Sequence, residues 1–193
     1  MKKIMFSDKF GLTKAVLDGR KTQTRRIVPQ SIIEKYALLE DFAIIDAKYD
    51  VGEVIAVAQS YNSLGYDPNA LDISPKNWRV VRGILGQSKG WNNKMFVRAE
   101  GCKQKIRITD VRVERLQDIT DECCLKEGVR KVVNENGIYV QYYVGKGDNA
   151  CSFENPREAF AHLINKVSKK DVWQENPYVF VYDFELVNSH SLR

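Results

Sequence analysis

Apolar and polar positions change rhythm several times along this chain, and each change marks an element. "KIMF", residues 3–6, reads as a short first strand. In "SDKFGLTKAVLDG", residues 7–19, apolar Leu12 and Val16 lie four apart behind a serine or aspartate cap, with Gly19 as a stop, which predicts a short helix. Thr22 and Thr24 then alternate with Gln23 and Arg25 before "IVP", so residues 21–27 read as extended. A period of two places Lys21, Gln23 and Arg25 on one side of that segment and Thr22, Thr24 and Arg26 on the other.

"SIIEKYALLED", residues 31–41, predicts a second helix, and "GEVIAVAQSY", residues 52–61, a continuous apolar strand of the kind buried on both faces. In "KIRITDVRVER", residues 105–115, the apolar phase passes from Ile106 and Ile108 to Val111 and Val113, which predicts a bulge near Thr109 and Asp110. "TDECCLKEG" has Thr120 as cap, acids in its first turn and Gly128 as stop, and "GIYVQYYV" is a further strand. "NPREAFAHLINKV" is the clearest helix. Asn155 caps it, Pro156 takes the first position, Glu158 completes a capping box, and Phe160, Leu163, Ile164 and Val167 form one apolar face. "PYVFVYDFELV", residues 177–187, closes the sequence as an aromatic-rich strand. Strands with turns and a bulge, and short helices in no repeating β-α order, predict an α+β fold: a curved mixed sheet or small β-barrel flanked by short helices.

With 193 residues, 44% hydrophobic and 28% charged, the chain is expected to form one domain over 1–193. Residues 62–94, with Asn, Gly and Pro around Trp78 and Trp91, read as an insertion covering a site. A net charge of +5 permits an anionic partner without prescribing one. Cys102, Cys123, Cys124 and Cys151 form no C-x-x-C pair and are expected to be reduced thiols. His162 and His190 lie far apart without metal-ligand spacing, so no metal is expected. With no signal-peptide core and no apolar run of membrane-spanning length, a cytoplasmic protein without a membrane partner is expected; the oligomeric state is left open.

"GRKTQTRR", residues 19–26, gathers four cations and three hydroxyl or amide side chains. Neighbouring cations or burial lower a lysine's pKa, so Lys21 could act as a base on the hydroxyl of Thr24. The same run also reads as a solvated, positively charged edge strand. A third reading needs no chemistry: Arg20, Arg25 and Arg26 hold phosphates while Trp78 and Trp91 stack on unpaired bases.

"VLDGRKTQTRRIVP" resembles the N-terminal signature of the ASCH domain, a branch of the PUA-like fold, especially its bacteriophage and prophage versions. "VGEVIAVAQSY", "ITDVRVERLQDITDECCLKEGV", "NPREAFAHLINKV" and "WQENPYVFVYDFELV" resemble later blocks in the family's order. The general signature is G-x-K-x-x-E-x-R; Gly19, Lys21 and Arg26 match it, and Thr24 replaces the glutamate. That replacement resembles a bacterial branch of amidohydrolases that deacylate N4-acetylcytidine with a threonine, a lysine and a later glutamate. A gapless match from Leu116 puts Glu127 in the glutamate's place.

The resemblance thus implies Lys21, Thr24 and Glu127 as catalytic residues. It implies RNA or a modified nucleoside as partner and a scheme that requires no cofactor; with the reading of the residues themselves, Gly19, Arg20, Arg25, Arg26, Trp78 and Trp91 are the candidate ligand contacts. Glu127 lies in the last helical turn, where the helix dipole disfavours negative charge by ~0.3–1 kcal/mol. Its alternative role is a structural salt bridge to Lys21 or Arg26. Non-catalytic RNA binding and a phage-derived interaction protein stay open beside hydrolysis.

Overall fold

The computed structural model describes residues 1–36, 44–64, 92–147 and 150–187. In chain order the elements begin with β1 (Lys3–Ile4), α1 (Leu12–Leu17), β2 (Gln23–Ile27), α2 (Gln30–Lys35), β3 (Val54–Val57) and α3 (Tyr61–Leu64). They continue with β4 (Lys105–Arg115), α4 (Asp121–Lys126), β5 (Arg130–Val133), β6 (Val140–Val144) and β7 (Cys151–Phe153). Last come α5 (Pro156–Ser168), α6 (Val172–Glu175) and β8 (Tyr178–Val187). The fold is mixed α+β. The described residues include no helix long and apolar enough to cross a membrane.

The chain divides into two compact units, Met1–Phe6 with Val54–Ile106 and Val187–Arg193, and Ser7–Glu53 with Arg107–Leu186. In the first, β1 pairs in parallel with β3, Lys3 opposite Ala56 and Ile4 opposite Val57. Ala56, Leu64, Val97, Ala99 and Cys102 pack into its core with Tyr61 against them. Lys3 Nζ donates to the carbonyls of Lys94, Met95 and Val97, tying that loop to β1.

The second unit holds strands in the order β4-β8-β2 and a separate sheet in the order β5-β6-β7. β2 runs antiparallel to β8 in unbroken register, from Gln23 opposite Asp183 to Ile27 opposite Val179. Alternating Val179, Val181 and the aromatics Phe180, Tyr182 and Phe184 are all buried, so β8 is covered on both faces as its apolar run requires. α5 packs against α4, α6 and the small sheet.

Of the two sheet forms expected, the open one is found, and among the described residues no barrel closes. The end of α4 stands beside the start of β2: Thr22 N donates to Lys126 O at 3.0 Å, and Lys21 Nζ donates to Gln23 O at 2.7 Å.

Several local expectations meet their physical test. Thr120 caps α4 by accepting from Cys123 N, and Asn155 caps α5 by accepting from Arg157 N at 2.7 Å. The burial phase in β4 does shift, with Thr109 and Asp110 both exposed between buried Ile108 and Val111. The cap of α1 is different from that expected. Gly11, in left-handed conformation with φ of 70°, caps it without a side-chain bond, because a turn from Asp8 O to Gly11 N precedes the helix. Val167 is exposed, so the buried face of α5 ends at Leu163. Residues 37–41 of the second predicted helix, and 65–91 of the insertion with Trp78 and Trp91, lie outside the described residues.

Candidate functional site

Gly19 ends the turn after α1 at φ of 72°, releasing the chain toward β2. Arg20 is exposed beside Asp18, at 3.6 Å. Lys21 turns inward. Its ammonium, 2% exposed, donates to Gln23 O at 2.7 Å, to Glu127 O at 2.8 Å and to Glu127 Oε2 at 2.5 Å. All three of its protons are engaged.

Glu127 reaches this position as the C-cap of α4. The following Gly128 has φ of +107°, a conformation that side chains other than glycine's rarely adopt. A Cβ there would crowd Leu12 Cδ2 at 3.1 Å and touch Lys21 Cδ at an ordinary 3.6 Å, so the glycine makes room for Leu12. The sequence pair "EG" therefore ends the helix with Glu127 beside the start of β2.

Burial lowers the pKa of Lys21; Glu127 opposes that, and Arg26 and Arg25 add to the lowering. Removing two charges from water is costly, so a buried Lys–Glu contact is weak evidence for stability and a reasonable marker of chemistry.

Arg25 was expected to meet a ligand. Its side chain is 1% exposed and turned inward, donating to Glu114 Oε1 at 2.5 Å through Nη2 and 3.1 Å through Nε. Its Nη1 donates to Gln23 Oε1 at 2.6 Å and Glu127 Oε1 at 3.2 Å. Glu127 is thus held by Lys21 and Arg25, where Lys21 or Arg26 had been the expected structural partners. Arg26 is exposed on the other face of β2.

The unbroken register of β2 puts Thr24 on that other face too, opposite Tyr182 of β8. Thr24 is 4% exposed, and its hydroxyl makes no hydrogen bond among the described residues. The structure therefore brings Lys21, Glu127 and Arg25 into direct contact and leaves the Thr24 hydroxyl unbonded to them. Lys21 is nonetheless one peptide group away, because the Gln23 carbonyl it binds belongs to the peptide leading into Thr24.

Three residues of this neighbourhood went unnoticed in the sequence, Arg112, Glu114 and Asp183, and Gln23 was placed beside Arg25 without a role. Gln23 Nε2 donates to Asp183 Oδ1 at 2.7 Å; Asp183 Oδ2 accepts from Arg112 Nη1; and Arg112 Nε donates to Glu114 Oε2 at 3.3 Å. Arg112 also donates to Asp110 at 2.9 Å. Signals for them exist. Asp183 is the first acid to interrupt the apolar run of β8, and Arg112 and Glu114 are opposite charges two apart on β4.

All four cysteines are free, and burial pushes the Cys124 thiol up to about 12, leaving it protonated and unreactive at neutral pH. Among the described residues no cluster of His, Cys, Asp or Glu could hold a metal ion. No family model matches the chain, and neither a curated protein nor a solved structure matches it.

Proposed function

We propose that the chain is an ASCH-type, PUA-like amidohydrolase that removes an N-acyl group from a cytidine-like nucleoside. The observation that carries the reading is the buried contact of Lys21 with Glu127, 2.5 Å apart in space and 106 residues apart in sequence. A lysine pushed by burial toward its neutral form is a better proton acceptor than one in water.

In this reading Lys21 works in its neutral form, released from the Gln23 carbonyl and turned toward the Thr24 face, and takes the proton of Thr24 Oγ1, whose oxygen attacks the N-acyl carbonyl carbon. The tetrahedral intermediate collapses as the carbon–nitrogen bond breaks; Lys21 hands the proton to Glu127 across their contact, and Glu127 passes it to the leaving amine. Water then releases the acyl group from Thr24. Arg26, exposed on the same face as Thr24, supplies the cation for the oxyanion. The unbonded, buried hydroxyl of Thr24 supports this assignment, since such a group costs folding free energy and a role in chemistry accounts for its presence.

Thr24→Val keeps the side chain's shape and removes only the hydroxyl. Its folding stability is expected to stay within about 1 kcal/mol of wild type, while release of cytidine from N4-acetylcytidine falls below detection. Lys21→Met is expected to be equally inactive. Chromatography of the reaction mixture decides: release that persists in Thr24→Val removes the threonine mechanism, and no release by wild type removes the amidohydrolase reading.

A further inference from the structure

The side chains on the Gln23 face of β2 close a ring. It runs from Arg25 to Gln23, to Asp183 on β8, to Arg112 and Glu114 on β4, and back to Arg25. Two arginines, two carboxylates and a neutral amide make it balanced in charge. It also spans a gradient of exposure, from Gln23 and Arg25 at 1% to Glu114 at 20% and Arg112 at 35%. Such a ring is more than is needed to neutralise one buried arginine, and its geometry is directional.

A guanidinium carries five donors in a fixed plane. Glu114 grips the edge formed by Nε and Nη2, and this determines where Nη1 points, toward Gln23 Oε1 and Glu127 Oε1. Gln23 is itself fixed from its far end by Asp183. Glu127 therefore has one oxygen on an immobilised cation and the other on Lys21. The end of α4 alone would not select that orientation, because Glu127 is the last residue before a glycine.

We infer that Glu114 and Arg25 are positioning residues: Glu114 holds Arg25, and Arg25 holds the Glu127 carboxylate against Lys21. Their part in hydrolysis rests on the amidohydrolase reading; the coupling of Glu114 to Lys21 does not. The charged groups facing Lys21 are Glu127 from the end of α4 and Arg25 from β2, with Arg26 acting by charge from the strand's other face, while α1 presents apolar Leu12 and Ala15 beside Gly128.

Glu114→Gln tests this. It keeps the shape and removes the charge that anchors Arg25, so the freed guanidinium draws Glu127 from Lys21. The full chain, grown with 13C-labelled lysine, is titrated by NMR, and the Lys21 signal is assigned by its loss in Lys21→Met. The Lys21 midpoint is expected to fall by roughly half a unit or more in Glu114→Gln. A purely structural role would lower the melting temperature and leave the midpoint where it is, and that result overturns the inference.

Should Glu114→Gln fail to fold, Asp183→Asn, further round the ring and more exposed, decides in its place with a smaller fall in the same direction. An unmoved midpoint there also overturns the inference. A chain that moves its Lys21 midpoint as expected but leaves N4-acetylcytidine intact keeps the clamp and loses the hydrolytic reading. Where hydrolysis is present, the pH profile of kcat/KM shifts with the midpoint.

Discussion

Gly128 shows how much one residue decides here. It holds a left-handed backbone at the end of α4, lies within van der Waals reach of Leu12 and Lys21, and follows the glutamate that Lys21 binds. Gly128→Ala is expected to cost about 1–3 kcal/mol, the range for a strained left-handed residue, with Leu12 displaced. Urea unfolding measures it, and a variant as stable as wild type would mean that the contact relaxes freely. Lys21, Thr24 and Glu127 could be singled out from residue types and a family-like spacing alone. The period of two also separated Thr24 from Lys21, Gln23 and Arg25 in advance; which partners each side meets it could not show, since the Asp183 that holds Gln23 lies 160 residues later. Arg25 illustrates the same limit: a run of four cations gives no sign of which ones meet carboxylates brought from β4 and α4.

At the scale of elements, α5 was the most legible, because its start is written in adjacent residues. Asn155 Oδ1 accepts from Arg157 N, and Pro156 occupies the first turn, where its missing N–H costs nothing. Asn155→Ala is expected to lose about 1 kcal/mol, read as a lower melting temperature with the Arg157 backbone amide exchanging faster; Asn155→Asp should retain most of the cap. β5 and β7 were missed for a definite reason. All four residues of β5 are exposed, so no apolar alternation announces it, and β7 has only three residues. Both owe their form to β6, whose residues pair with them on either side. α1 was expected with a polar cap, and the left-handed Gly11 shows that a turn can do the same work without one.

For the whole molecule, the buried lysine couples folding to pH with a sign that can be worked out. The pKa of Lys21 lies below its ordinary 10.5 in the folded chain and returns to it on unfolding. Between those two values the unfolded state binds the extra proton, so this residue's contribution to stability rises with pH across that window and is flat on either side. Wild type should therefore gain stability relative to Lys21→Met as pH climbs toward 10.5. Parallel denaturation series at several alkaline pH values test it, and parallel slopes for the two proteins would contradict it.

The lysine's hold on the backbone has a consequence for its own variants. The Gln23 carbonyl, in a residue 1% exposed, accepts from the Lys21 ammonium. Removing the ammonium leaves a buried acceptor without that donor, so an inactive Lys21 variant carries two defects at once, a missing base and an orphaned carbonyl at the start of the strand.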